Sequence, residues 1–435
     1  MPLLRKRFFV SFLSVCVLVG THVSQTYASS PVAINEAVVV MEERAQQKDY
    51  LQQALQQVFV KMSGFTSVLE HPSVQRSVAN YEQYLIRSRT QQSDDELLLT
   101  ATFNKEKISN ILNSLQLPVW PELRPSAVVW LGFREGSGFD FASEINFKPF
   151  GKALVNASNK RGVHFLLPVG DINDLETVTG YDVWSQNISR LARQSGRYQS
   201  DNFISLSINQ ATPADIESAN LQIMEEYQLR LITAQSMKTD RMIIQSSRAS
   251  SENRGEGLEN ANIEDNSLEE ESLGLLHYET VERPEIVPED ADLRIDFVIV
   301  TPEETVTGQL FGEEPLALIE RFVDKYADDL ARRYAVISAP QQSAMKVGIT
   351  FKNVGSLQNL TEVERLLTSN PMIRTVFLKT QKGNISTFEV ELTDEVQKLT
   401  EILTIDSRVK TTSLPISIGS GDESIQAQLA FRWEP

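Results

Sequence analysis

The chain has 435 residues, 41% of them hydrophobic and 23% charged, which is the make-up of an ordinary globular protein with room for about three domains. Its formal net charge of -17 repels nucleic acid and anionic lipid, so neither is an expected partner. Cys16 is the only cysteine, and it lies in a segment expected to be removed, so a disulfide framework and thiolate chemistry are excluded from the mature protein.

Arg5-Lys6-Arg7, an apolar run from Phe8 to Gly20 and the small-residue stretch Thr26-Tyr27-Ala28 have the layout of a secretory signal peptide over residues 1–28. The run is about 13 residues, short of a membrane-spanning helix. Cleavage near Ala28 and a periplasmic mature protein are therefore expected. Leu13-Ser14-Val15-Cys16 comes close to a lipoprotein box, but Val15 is too large for the position before a lipidated cysteine, so lipid anchoring is not expected. No later apolar run is long enough to span a bilayer.

Ala37 to Val40 reads as a strand. Leu51, Ala54, Leu55, Val58 and Met62 recur at helical spacing over residues ~45–62, with Gly64 placed as a C-cap. A strand over Leu97–Phe103 and a short helix over 108–115 complete an α+β region, residues 29–116. Pro118, Pro121 and Pro125 mark a loop. The apolar run Ala127 to Leu131 predicts a strand buried on both faces. A helix at ~143–160, a second strand from Val163 to Val169, a helix at ~183–196 and a strand from Phe203 to Ile208 suggest a parallel α/β layer, residues 117–248. Tyr227–Ala234 and Arg241–Ser246 read as a hairpin.

Between Ser251 and Asp292 there are 14 acidic and two basic residues, so 249–292 is expected to be an acidic linker or insertion. A strand at Leu293–Val300 and a helix at ~313–335, with Leu316, Ile319, Phe322, Val323, Tyr326 and Leu330 on one face, should return to the α/β domain over 293–340. Residues 341–435 follow the order β-α-β-β-α-β, the ferredoxin-like pattern, with one more strand at Ile425–Trp433. The expected class is thus mixed α/β and α+β.

Chemistry-bearing motifs are sparse. His22, His71, His164 and His277 are isolated, so no metal site is expected, and no cofactor loop or nucleophile motif is found. Gly136-Ser137-Gly138 reads as a plain turn rather than a phosphate loop. Asp171, Asp174 and Asp182 follow the strand ending at Pro168. Carboxylates there either cap helices or form a ligand loop able to supply an acid and a base. Leu117 to Pro125 holds Trp120 and Arg124, residue types that dominate binding hot spots. With Trp184 they are the candidate partner-binding residues, although for Trp120 plugging the edge of the core is the stronger reading.

Val60-Lys61-Met62-Ser63-Gly64, Leu117-Pro118-Val119-Trp120 with Arg124-Pro125, Val129-Trp130-Leu131, Arg161-Gly162-Val163 to Leu167-Pro168, Asp182-Val183-Trp184 and Phe431-Arg432-Trp433 resemble the proteobacterial envelope proteins grouped as domain of unknown function 2066. That resemblance implies export and an α/β fold, and it assigns no activity. The expected function is a non-enzymatic, protein-binding accessory or assembly factor of the envelope. The alternative is a periplasmic hydrolase or small-ligand-binding protein using the Asp171/Asp174 loop.

Overall fold

The computed structural model describes residues 33–41, 46–93, 96–147, 149–200, 202–252, 283–284, 286–337, 345–412 and 427–434. The expected signal peptide and most of the acidic segment lie outside the described residues. Within them are three sheets and 11 α-helices. No helix among the described residues is long and apolar enough to cross a membrane.

The first sheet has strands β1 (Glu36–Met41), β2 (Leu85–Ser93) and β3 (Glu96–Phe103), antiparallel in the order β1-β3-β2. Helix α1 (Gln47–Ser63) lays Leu51, Leu55, Val58 and Phe59 on Ala37, Val39, Leu99 and Ala101, the helical spacing expected from sequence. It ends at Gly64 in the left-handed conformation (φ 89°). Helices α2 (Pro72–Ala79) and α3 (Lys105–Ser114) flank it. Strand β2 carries Arg87, Arg89, Gln91 and Gln92 on an exposed edge, so it has no apolar alternation to announce it; pairing with β3 creates it.

The second sheet is built on β4 (Ser126–Glu135). Strand β5 (Gly138–Ala142) returns antiparallel through a tight turn at Gly136-Ser137, so the glycine motif is a hairpin turn. Helix α4 (Phe150–Arg161) crosses over to β6 (His164–Leu166), which pairs parallel with β4. The predicted helix at 183–196 is instead broken. Short helices α5 (Ile172–Thr177) and α6 (Gly180–Trp184) are followed by α7 (Ile188–Ser195). Strand β7 (Phe203–Gln210) is parallel to β4, as the expected layer requires.

Residues 227–246 are not a hairpin. They belong to α8 (Pro213–Glu252), which opens on reciprocal bonds between Thr212 and Asp215 and is rich in Ala, Gln, Glu, Leu and Met. Strands β8 (Leu293–Val300) and β9 (Thr305–Gly312) extend the sheet antiparallel to the order β5-β4-β7-β8-β9, and α9 (Pro315–Tyr334) closes one face. Alternate residues of β4 feed opposite layers: Ala127, Val129 and Leu131 meet α4 and α9, whereas Val128 and Trp130 meet Val183 and Leu191.

The third sheet holds β10 (Met345–Lys352), β11 (Ile373–Lys382), β12 (Ile385–Leu392), β13 (Val409–Thr411) and β14 (Ala427–Trp433), with α10 (Leu357–Thr368) and α11 (Val396–Thr404). The β-α-β-β-α-β order is present. The spatial order, however, is β11-β12-β10-β14-β13. Strand β14 pairs parallel with β10 and takes the place beside it that a ferredoxin-like fold gives to its fourth strand; β13 is displaced to the edge. The fold class is therefore mixed α/β.

A cluster of cations sits where α1, α4 and α9 meet. Lys61 donates to the Glu36 carbonyl (2.7 Å), and Arg161 bonds the Gly64 carbonyl (2.8 Å), Asp324 (2.7 Å) and Asp328 (2.5 Å). Burial, with Arg124 adding repulsion, lowers the Lys61 pKa to about 8 from 10.5. The folded state then binds fewer protons than the unfolded one between those two values. Stability should rise with pH across that window, by about 2–3 kcal/mol. Denaturant melts at pH 7.5 and 10 should show the rise in wild type and its loss in Lys61→Met. An equal slope in the variant would assign it to other groups.

Candidate functional site

Trp120 and Arg124 lie inside the molecule, at 0% and 1% exposure, and present no surface to a partner. The Arg124 guanidinium stacks on the Trp120 ring (3.7 Å) and donates to the carbonyls of Pro121 (3.0 Å), Lys61 (2.5 Å), Gly162 (2.6 Å) and Arg161 (3.3 Å). Lys61 and Arg161 end α1 and α4, so Arg124 joins the negative ends of two helix dipoles.

The three aspartates do separate structural jobs. Asp171 caps α5 and pairs with Arg197 through both oxygens (2.7 and 2.6 Å), and that bond to Arg197 holds its pKa down to about 2. Asp174 is wholly buried. One of its oxygens accepts from Gln194 (2.8 Å) and Arg197 (2.9 Å), and the other from the Gly170 amide (2.8 Å) and the Tyr198 hydroxyl (2.6 Å). Four donors fill its lone pairs, leaving nothing to accept a substrate's proton. Burial and the bond to Asp174 push the Tyr198 pKa up. Asp182 forms a capping box with Thr179 on α6 and also bonds Asn187 (3.2 Å) and Arg190 (3.1 Å).

Asp182 thereby positions what the surface does offer. Helix α6 reads Gly180-Tyr181-Asp182-Val183-Trp184. Val183 points into the core, and Tyr181 and Trp184, three apart, share the outer face. The Phe139 ring from β5 lies 4.3 Å from Trp184 and 5.3 Å from Tyr181, and Tyr181 and Trp184 are 5.9 Å apart. Tyr181 is 56% exposed; Phe139 and Trp184 are half-buried. The exposed Arg134 guanidinium stands 5.3 Å from the Phe139 ring centre and 6.0 Å from that of Trp184.

This platform is rigidly seated. A side chain at Gly132 would meet the Trp184 amide nitrogen at 2.6 Å, and one at Gly180 would run into the Phe139 carbonyl. The two glycines let α6 rest on the backbone of β4 and β5. The Ser207 hydroxyl donates to the Trp184 carbonyl (2.7 Å). Gln186, at φ 54°, turns the chain after α6 and holds the turn by donating to the Asp296 (2.9 Å) and Ser205 (3.3 Å) carbonyls. Of the expected anchors, only Trp184 lies here. Phe139, Tyr181 and Arg134 escaped sequence reading, although the Tyr181–Trp184 spacing was a usable signal.

Elsewhere, His71 caps α2 by accepting from the Ser73 amide (3.2 Å), and burial lowers the His164 pKa. His22 and His277 lie outside the described residues. A groove of about 610 Å³ beside β9 and α9 is lined by Ile223, Val287, Phe311, Leu318 and Arg321, whose guanidinium is engaged by the Phe311 carbonyl (2.6 Å).

Residues 31–121 match a family described as a domain of unknown function, DUF8605. The match corrects the resemblance drawn from sequence: the chain does not match domain of unknown function 2066. The matched stretch holds the first sheet and ends at Trp120-Pro121, where the chain enters the second. No curated protein and no solved structure matches the chain.

Proposed function

We propose that the chain is an exported, non-enzymatic protein-binding accessory of the cell envelope, and that it docks its partner through the α6–β5 platform. The observation carrying this reading is the cluster of Phe139, Tyr181 and Trp184 under Arg134, aromatic and arginine side chains held on a rigid seat at the surface. Export rests on the leader-like order of residues 1–28. A hydrolytic or small-ligand role at the Asp171/Asp174 loop has weaker support, since the oxygens of Asp174 are committed to four internal donors. The C-terminal sheet we read as a ferredoxin-like unit with β14 inserted, and the acidic segment as a spacer between the two halves of the α/β domain.

A photo-crosslinking side chain at Tyr181 tests the docking role in cells. One partner should crosslink from this position and not from Leu357, an exposed residue on α10. Trp184→Ala should abolish the crosslink and shift the melting temperature little. A crosslink that survives Trp184→Ala, or that arises equally from Leu357, would sink the docking site.

A further inference from the structure

We infer that the platform takes an extended, proline-containing segment of the partner that carries an acidic residue; this rests on the docking role proposed above. The three rings, 4.3 to 5.9 Å apart, form a compact triangle rather than a deep pocket, a footprint for a flat ring such as proline and not for a whole helix face. The same rings bring polar handles. The Trp184 indole N–H and the Tyr181 hydroxyl have no hydrogen-bond partner among the described residues, and neither is a buried unpaired atom. Polyproline II chain has no internal hydrogen bonds, so its carbonyls need outside donors, and aromatic surfaces edged by such donors are how proline-rich segments are recognised.

Charge selects the flanking residue. In a chain of net charge -17, Arg197, Arg190 and Arg333 are engaged by Asp171, Asp182 and Glu303. Arg134 has only the rings of Phe139 and Trp184, and no carboxylate among the described residues. A guanidinium held over aromatic faces keeps its outer edge free for a bidentate carboxylate. The rigid seat of α6 and the low entropy of a polyproline II segment both reduce the ordering penalty on binding.

The protein carries its own reporter. Trp120, Trp130 and Trp433 are at 0% exposure, so Trp184 alone of the four tryptophans is open to a collisional quencher. A short, end-capped peptide of alternating prolines with one glutamate should protect the mature protein's fluorescence from acrylamide. Replacing its prolines with alanine should remove protection. Replacing its glutamate with lysine, or Arg134→Ala in the protein, should weaken binding about fivefold, with the loss shrinking at high salt. Equal protection by the alanine peptide, or none by the proline peptide, would overturn the inference. If the Tyr181 crosslink still depends on Trp184 in that case, the docking role stands and only the partner chemistry is wrong; if the crosslink is also lost as a criterion, both fall. Protection by a neutral oligosaccharide instead of the peptide would reassign the platform to carbohydrate.

Discussion

Asp174→Ala should lose about 3–5 kcal/mol of folding free energy. Its carboxylate is wholly buried, and removing it takes an acceptor from four donors, Gln194, Arg197, the Gly170 amide and Tyr198, of which Gln194 keeps only the Asn173 carbonyl. Arg197 retains Asp171 as a partner, which limits the loss, but Tyr198 and Gly170 have no substitute acceptor on this loop. Asp174→Asn keeps the shape and still fails, because its amide NH2 must face donors where an oxygen accepted. Asp171→Ala, by contrast, removes a half-buried helix cap and should cost clearly less. Urea unfolding of the three variants at pH 7 measures the ranking. A cost below that of Asp171→Ala would mean that Asp174 does not hold the loop, and would return it to the pool of candidate acids and bases.

The ranking also explains what was legible in the sequence. Periodicity exposes an element whenever its own side chains carry the signal. The spacing of α1, the unbroken run of β4 and the stripe of α9 survive into the structure because each buries its face against something; in α9 the exception is Leu316, which is exposed while Leu318 takes the buried place. Where partner strands supply the stability, the signal vanishes: β2 is exposed and polar, and the insertion of β14 between β10 and β13 is a matter of spatial order that linear order does not encode. Tyr227-Gln228-Leu229-Arg230-Leu231 alternates like a strand, but the run of helix formers that starts at the Thr212–Asp215 cap carries the helix through it.

Site residues followed the same division. Helix capping is one of the two sequence readings of Asp171 and Asp182, and both sit in helix caps. Trp120 packs in the core, the stronger of its two sequence readings, whereas Arg124 reads as a hot-spot residue because composition cannot reveal burial; the carbonyls that hold Arg124 lie 63 and 38 positions upstream and downstream. Tyr181 and Trp184 share a helix face, but Phe139 joins them only through the β4–β5 hairpin, and it is this third ring that turns two surface aromatics into a platform.

Arg124→Ala should be the second severe variant, at about 4–5 kcal/mol. Four carbonyls lose their donor, the stack on Trp120 is lost, and a side-chain-sized void opens where α1 and α4 end. Arg124→Lys keeps the charge but brings a single ammonium to a site built for a planar fork, so it should recover less than half of the loss. The variant also bears on pH. Repulsion from Arg124 is, after burial, the second cause of the low Lys61 pKa. Removing Arg124 should therefore raise the Lys61 pKa and flatten the alkaline gain in stability described above, whereas a purely steric role would leave that slope unchanged. Because Arg124 ties the Lys61 carbonyl to those of Arg161 and Gly162, its loss should also loosen the 31–121 unit from the second sheet, seen as faster proteolysis in the loop from Leu117 to Pro125. Intact protection of that loop in Arg124→Ala would show that the Val119–Val336 bridge and the Trp120–Met62 hydrogen bond hold the junction without it.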